Sequence, residues 1–432
     1  MQELYSHFLK YPIAVTDTRA ILPDSIFFAL KGPNFNANEF AEKALESGSK
    51  FAVIDEAKYK KDDRFILVED VLTTLQKLAN HHRKQFSIPV LALTGTNGKT
   101  TTKELIHAVL SQKFNVLSTK GNLNNHIGVP LTLLNLKKEH DFAVIEMGAN
   151  KRGDIKELCD IADPDYGMIT NIGKAHLEGF GDIESVLQTK TEIYQHIRNK
   201  KGKIFINTDN LLLKEKGNDL SHESYGFNSG NLRGRNIQVN PFLSLEIISF
   251  NRENVENSEE KIQIQTHLVG TYNAENILAA CCIGNFFGVE NQKIKSGLEN
   301  YIPSNNRSQI IQKENCTILM DAYNANPSSM KAAIENFAAI HHPDKYFVLG
   351  DMFELGESSE LEHQQVIELA DEKNLKGIFV GKAFFSLKNE KNKFLTTTEE
   401  AKTLIQLELK KGRLYLIKGS RGMKLETLLE VI

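Results

Sequence analysis

The chain has 432 residues, 41% of them apolar and 25% charged, which is the composition of a water-soluble globular protein with material for about three domain cores. Its 52 basic and 55 acidic residues nearly cancel, so composition excludes a field that gathers nucleic acid or a membrane surface, while small anionic ligands stay open. Met1 to Val15 mixes Glu3, His7 and Lys10 with apolar residues and lacks the form of a secretion signal, and no apolar run is long enough to span a bilayer. Cys159, Cys281, Cys282 and Cys316 follow neither a metal-ligand nor a disulfide spacing, so they read as core thiols in a reducing cytoplasm.

Residues 1–85 read as a small α/β domain. Strands are expected at Ser25–Leu30, Phe51–Ile54 and Phe65–Val68, and helices at Phe40–Ser47 and Val71–Phe86, the latter with Leu72, Leu75 and Ala79 on one face. Asp17-Thr18-Arg19 offers Arg19 to an anion, although a surface turn explains it equally well.

Residues 86–302 open on the apolar strand Leu91-Ala92-Leu93, which runs into Thr94-Gly95-Thr96-Asn97-Gly98-Lys99-Thr100-Thr101 and then a helix. Gly95 and Gly98 allow the backbone to curl so that its N–H groups point inward, and a helix starting near Lys99 aims its positive end at the same hollow. Lys99 then reaches the outer phosphates of a nucleotide, and Thr100 or Thr101 offers a hydroxyl to magnesium. The usual phosphate loop has a glycine where Leu93 stands, so this loop is a shortened variant. Strands at Asn115–Ser118, Phe142–Met147, Tyr166–Thr170 and Ile204–Ile206 alternate with helices, as in a mainly parallel sheet. From 208 to 260 the chain is polar and broken, with a turn near 251–260, and a half-buried alternating strand follows around Ile262 and Ile264; the region reads as an antiparallel excursion returning to a helix at Asn273–Phe287.

Residues 303–432 carry the clearest rhythm: strands at Thr317–Met320, Tyr346–Leu349, Ile378–Val380 and Leu414–Ile417, and helices at Ser329–Ile340, Ser359–Lys373 and Glu399–Lys411, with a last helix at the terminus. That predicts a doubly wound, Rossmann-like sheet whose ligands sit outside the carboxyl ends of its strands. Polar loops stand at three of those ends, beginning at Asp321, Gly350 and Lys418.

Several residues invite chemistry. Glu146 ends a buried strand beside the phosphate loop, where a nucleotide-bound magnesium finds a carboxylate; capping the next helix is the plainer role. His176 follows a neighbouring strand, where its imidazole completes a second magnesium site or is simply structural. Lys190 lies in the stripe Ile183, Val186, Lys190, Ile193, Ile197, and burying a bare ammonium costs several kcal/mol, roughly, unless it is paired. Either its stem snorkels or meets a carboxylate, or the amine has taken up carbon dioxide and become an anionic carbamate. Asn124 and Asn125 suit substrate contact or turn chemistry, and Asn273 and Asn276 suit helix capping or purine recognition.

Taken together, these residues resemble the Mur ligases, the ATP-dependent amide-forming enzymes of peptidoglycan precursor synthesis, over nearly the whole chain. The resemblance implies ATP as the nucleotide and two magnesium ions held by Thr100, Glu146, His176 and a carbamylated Lys190. It implies adenine-side contacts from Asn273 and Asn276, a phosphate contact from Arg307 and a ribose-side carboxylate at Asp321. Gly121-Asn122-Leu123-Asn124-Asn125, Asp321-Ala322-Tyr323-Asn324-Ala325-Asn326-Pro327, Gly350-Asp351-Met352-Phe353-Glu354-Leu355-Gly356 and Lys418-Gly419-Ser420-Arg421-Gly422-Met423 are similar to the branch that joins D-alanyl-D-alanine to UDP-N-acetylmuramoyl tripeptide. On that likeness Thr18, Arg19, Asn124, Asn125, Asn324, Asn326, Lys418 and Arg421 are expected to touch substrate, and Lys99, Lys190, His176 and Arg307 to serve catalysis. The first domain would hold the UDP end, the second ATP and the third the dipeptide, in a cytoplasmic monomer. Asn36-Ala37-Asn38 departs from the Asp-Gly-His expected there. A sister ligase, such as the third-residue ligase or a folylpolyglutamate synthase, and a phosphate-loop ATPase switch are the alternatives.

Overall fold

The computed structural model describes residues 1–174, 177–250, 259–304, 306–408 and 410–432. His176 and most of the turn expected near 251–260 lie outside them. Three main sheets follow one another along the chain.

The first is parallel throughout, in the order Ala14–Val15, Ile26–Phe28, Phe51–Ile54, Phe65–Leu67. Side chains alternate across it: Ile26, Phe28 and Val53 face the helices Gln2–Lys10 and Val71–Arg83, while Phe27, Ala52 and Ile54 face Ala41–Glu46. The first of these cores runs without a break into the second sheet, joining Leu75 and Leu78 to Val90, Ala92 and Ile145. The unexpected tripeptide around Asn38 is structural: Asn38 is buried, donates to Asp55 Oδ1 at 2.8 Å and accepts the Asp55 N–H at 3.0 Å.

The second sheet has nine strands. Third from one edge, Val90–Thr94 pairs in parallel with Tyr166–Ile169 on one side and Phe142–Glu146 on the other. Val90 and Ala92 pack on one face and Leu91 and Leu93 on the other, against Leu105, Val109 and Ile277 of the helices Lys99–Leu110 and Ala274–Phe286. A strand buried on both faces has no reason to alternate apolar with polar residues, and this one does not. Residues 208–260, expected to be broken, contain His222–Gly226 and two long strands, Leu232–Val239 and Leu243–Phe250. Leu243, Leu245 and Ile247 turn inward from Leu243–Phe250, and the antiparallel ladder with Leu232–Val239 and Glu259–Gln265 is the expected antiparallel excursion, with longer strands than the polar composition suggested.

The third sheet runs Gln309–Gln312, Cys316–Asp321, Arg413–Lys418, Lys345–Gly350, Gly377–Val380, Lys393–Leu395, parallel except for its first strand. Helices cover both faces, with Met330, Phe337 and Ile367 on one and Ala401, Ile405 and Leu425 on the other. The sheet is doubly wound, as expected. Its terminal segment differs, being a 3-10 helix at Leu425–Glu430 rather than an α-helix. The three-residue repeat of 3-10 geometry turns both Leu425 and Leu428 into the core. Among the described residues no helix is long and apolar enough to cross a membrane.

Candidate active site

The strand Val90–Thr94 ends between its two neighbours, so the turn that follows is flanked on both sides. Gly95 sits at φ +146°, and a Cβ there would lie 1.9 Å from Thr170 Oγ1 and 3.0 Å from Thr170 N. Gly98, at φ +76°, leaves no more room: a Cβ would meet Asn276 Oδ1 at 2.8 Å. Both glycines are therefore required by backbone angle and by space. Gly98 precedes the helix Lys99–Leu110, whose first N–H groups have no intrahelical acceptor and mark an anion site at a positive helix end. Replacing Gly95 with alanine is expected to distort this loop and weaken ADP binding by about 2 kcal/mol, roughly thirtyfold, in calorimetry. Unchanged affinity would mean the loop does not carry the phosphates.

Glu146 ends Phe142–Glu146 with 1% of its surface exposed. Its Oε1 accepts from Thr100 Oγ1 at 3.1 Å and from Asn124 Nδ2 at 2.8 Å, and its N–H donates to Thr119 Oγ1 at 2.9 Å. Oε2 is buried with no partner among the described residues. A buried carboxylate oxygen left bare beside a threonine hydroxyl has the hard oxygen donors that suit magnesium. Asn124, expected to touch substrate or shape a turn, lines the cavity and orients this carboxylate. Lys103, fully buried, holds the same region by donating to the Thr119 carbonyl at 2.5 Å.

Lys99 folds back on its own loop, donating from Nζ to the carbonyls of Gly95 at 2.7 Å and Thr96 at 3.0 Å. Burial pulls its amine down to about 8; Glu146 opposes that shift and Arg307 adds to it. Asn273 and Asn276 are buried. Asn276 bridges Asn273 Oδ1 at 2.9 Å and Thr102 Oγ1 at 3.0 Å, and Asn273 Nδ2 donates to the Val269 carbonyl at 2.8 Å. Neither caps the helix through its side chain, so the capping role falls away, and Asn276 forms the floor under Gly98.

The third sheet presents its strand ends to the same space. Asp321 and Lys418 are register partners at the carboxyl ends of adjacent parallel strands, and Lys418 Nζ donates to Asp321 Oδ2 at 2.6 Å. Arg307 stacks its guanidinium 3.7 Å above the Tyr323 ring, with its Nε buried and without a partner among the described residues. Arg421 approaches that ring from 5.2 Å.

One cavity of about 1010 Å³ is walled by Thr96 through Thr101, Asn124, Asn125, Glu146, Asn273 and Asn276 from the central unit, and by Arg307, Asp321, Asn324, Asn326 and Lys418 from the third. Lys190 is not among the residues that line this cavity. It is 2% exposed, and burial and Lys99 hold its amine well below the usual lysine range against the opposing charges of Asp154 and Glu192. Ile183, expected in the same stripe, is 48% exposed on the first turn. Thr18 and Arg19 sit on a turn away from the cavity, where Arg19 pairs with Asp17 at 2.7 Å and holds that carboxyl down at about 2. The sequence reading missed Thr170, Asn171 and Tyr323. A polar pair following the apolar strand Tyr166–Ile169 was the available signal for the first two.

A family model described as "Mur ligase middle domain" matches residues 93–284, and another described as "Mur ligase, glutamate ligase domain" matches residues 306–421. The UDP-N-acetylmuramoyl-tripeptide--D-alanyl-D-alanine ligase of Bacillus subtilis (strain 168) is 34% identical over 428 residues, covering 96% of this chain and 92% of that one. The chain belongs to the Mur ligase family. Solved Mur ligases have the same fold: MurF from Acinetobacter baumannii matches at a TM-score of 0.87 and 32% identity over 99% of this chain and 97% of its own. MurF from Thermotoga maritima, solved in complex with ADP, matches at a TM-score of 0.85 and 28% identity over 98% and 97%. The residues matched as the Mur ligase middle domain include the whole phosphate loop, and those matched in the second model include Arg307, Asp321 and Lys418.

Proposed function

We propose that this Mur ligase joins D-alanyl-D-alanine to UDP-N-acetylmuramoyl tripeptide at the expense of ATP, in the cytoplasmic assembly of the peptidoglycan precursor. The observation that carries this reading is the single cavity into which the phosphate loop, the bare Glu146 oxygen and the cationic strand ends of the third sheet all open.

An amide does not form from a carboxylate and an ammonium in water without activation. In the proposed sequence a carboxylate oxygen of the tripeptide attacks the γ-phosphorus of ATP. The bond to the β,γ-bridging oxygen breaks, ADP departs and an acyl phosphate remains. The neutral amine of D-alanyl-D-alanine then attacks the acyl carbon. A C–N bond forms, phosphate leaves with the C–O bond, and the amine nitrogen loses a proton to solvent. Lys99 and the N–H groups after Gly98 orient the phosphates and offset the repulsion between two anions. Arg307 reaches toward the same phosphates from the third unit, and closing that unit keeps water from the acyl phosphate. Thr100, Glu146, a carbamylated Lys190 and His176 would hold magnesium, which supplies positive charge to the phosphate oxygens. Asn324 and Arg421 are placed on the dipeptide side, and residues 1–85 take the UDP end.

The test is phosphate release with ATP, magnesium and the UDP-muramoyl tripeptide, with and without D-alanyl-D-alanine, followed by the mass of the product. Release that needs both substrates and adds one dipeptide is the expected result. Release driven only by another amine would reassign the protein to a sister ligase. Release indifferent to both would make it an ATPase switch.

A further inference from the structure

Asn97 occupies the tip of the phosphate loop, and every polar group of its backbone is already committed within the central unit. Its N–H donates to Asn171 Oδ1 at 2.9 Å, and its carbonyl accepts from Thr170 Oγ1 at 2.6 Å and Asn171 Nδ2 at 3.1 Å. Its side chain does something else. Asn97 Oδ1 accepts from Nδ2 of Asn326, a residue 229 positions away at the start of the helix Pro327–Ala339. Asn326 is 8% exposed, and its remaining polar atoms are held in a capping box: Oδ1 accepts the Ser329 N–H at 2.9 Å, and its own N–H donates to Ser329 Oγ at 3.0 Å. The amide is thus locked in orientation from behind and offers its free edge to the loop. Contact continues alongside, where Ser328 Oγ stands 2.9 Å from the space that a Cβ on Gly173 would fill, and Gly173 is itself bonded through its N–H to Thr96 Oγ1 at 3.0 Å.

We infer that Asn326 is a positioning residue that ties the docking of the third unit to the shape of the phosphate loop. The inference rests on the nucleotide reading of the cavity, but not on which amine is ligated. When the third unit docks, Asn326 restrains the loop tip in the conformation that receives phosphates. A nucleotide that binds the loop in turn favours the docked unit, because the two equilibria share one hydrogen bond. Asn326 was expected from the sequence to touch substrate; its amide faces the nucleotide loop.

The test compares the full chain with N326S, N97A and the double variant. Serine caps a helix about as well as asparagine but is too short to reach Asn97, so N326S removes the bridge and keeps the cap. N97A removes it from the other side without touching the cap. ADP affinity measured by calorimetry is expected to fall roughly three- to tenfold in each single variant and no further in the double, since both remove one interaction. In ligation assays N326S is expected to raise KM for ATP, with KM for the dipeptide nearly unchanged. Wild-type ADP affinity in N326S, or losses that multiply in the double variant, would overturn the inference. If the wild-type chain ligates no D-alanyl-D-alanine, the proposed substrate falls while the ADP comparison still decides the bridge.

Discussion

Replacing Lys99 with alanine is expected to lower kcat/KM for ATP by about a thousandfold, ~4 kcal/mol of transition-state stabilisation. Without phosphates the ammonium rests on two carbonyls of its own loop, so it is held within the loop it serves rather than free in solvent. With its amine at about 8, most of it is charged at neutral pH, which is what a group meant to offset phosphate charge requires. Alanine is a good helix former at the first position of Lys99–Leu110, so the fold and its melting temperature should survive. Phosphate release coupled to ligation is the measurement. Substantial turnover in the variant would mean that the outer phosphates lie elsewhere.

The second large effect is expected at Lys190. The side chain does not snorkel, being 2% exposed; its Nζ lies 5.8 Å from the centre of the Phe180 ring, and the two described carboxylates that favour its charge are engaged by backbone N–H groups. Asp154 accepts the N–H groups of Asn150 and Lys151, and Glu192 those of Gly153 and Lys156. Burial and the neighbouring Lys99 favour the neutral amine, and a neutral amine is the form that adds to carbon dioxide, its nitrogen bonding to carbon as a proton leaves. A carbamate formed there would be an anion close to Lys99 and able to hold a cation. Lys190→Ala should therefore lose about a hundredfold or more in kcat, and short carboxylates such as formate should restore part of it. Labelled bicarbonate should give a carbamate signal in the wild-type chain and none in the variant. Full activity in Lys190→Ala without added carboxylate would return the residue to a packing role.

The parts of this protein legible in the sequence are those whose cause is local. A buried strand, two glycines, a lysine and a helix start lie within a dozen residues, and backbone angles with helix-end electrostatics suffice to read them as a phosphate cradle. The strand and helix rhythm of the third sheet was equally plain, because its four inner strands, Cys316–Asp321, Arg413–Lys418, Lys345–Gly350 and Gly377–Val380, are buried on both faces, while the edge strands Gln309–Gln312 and Lys393–Leu395 are only partly buried. Glu146 was legible for the same reason, as a lone carboxylate at the tip of an apolar strand. The strands Leu232–Val239 and Leu243–Phe250 were not, since an antiparallel ribbon exposed on one side needs its partners to pay for its polar residues.

Tertiary structure alone decided who meets whom. Asp321 and Lys418 are 97 residues apart and become partners only because their strands are adjacent and in register. Asn124 turns to Glu146, and Asn326 to Asn97, because chain closure brings polar groups together that must then satisfy one another in a space with little water. Local sequence determined which chemistry is present. Long-range packing determined which side chains hold it in place, because hydrogen-bond partners are chosen by the geometry of the closed chain and not by their spacing along it.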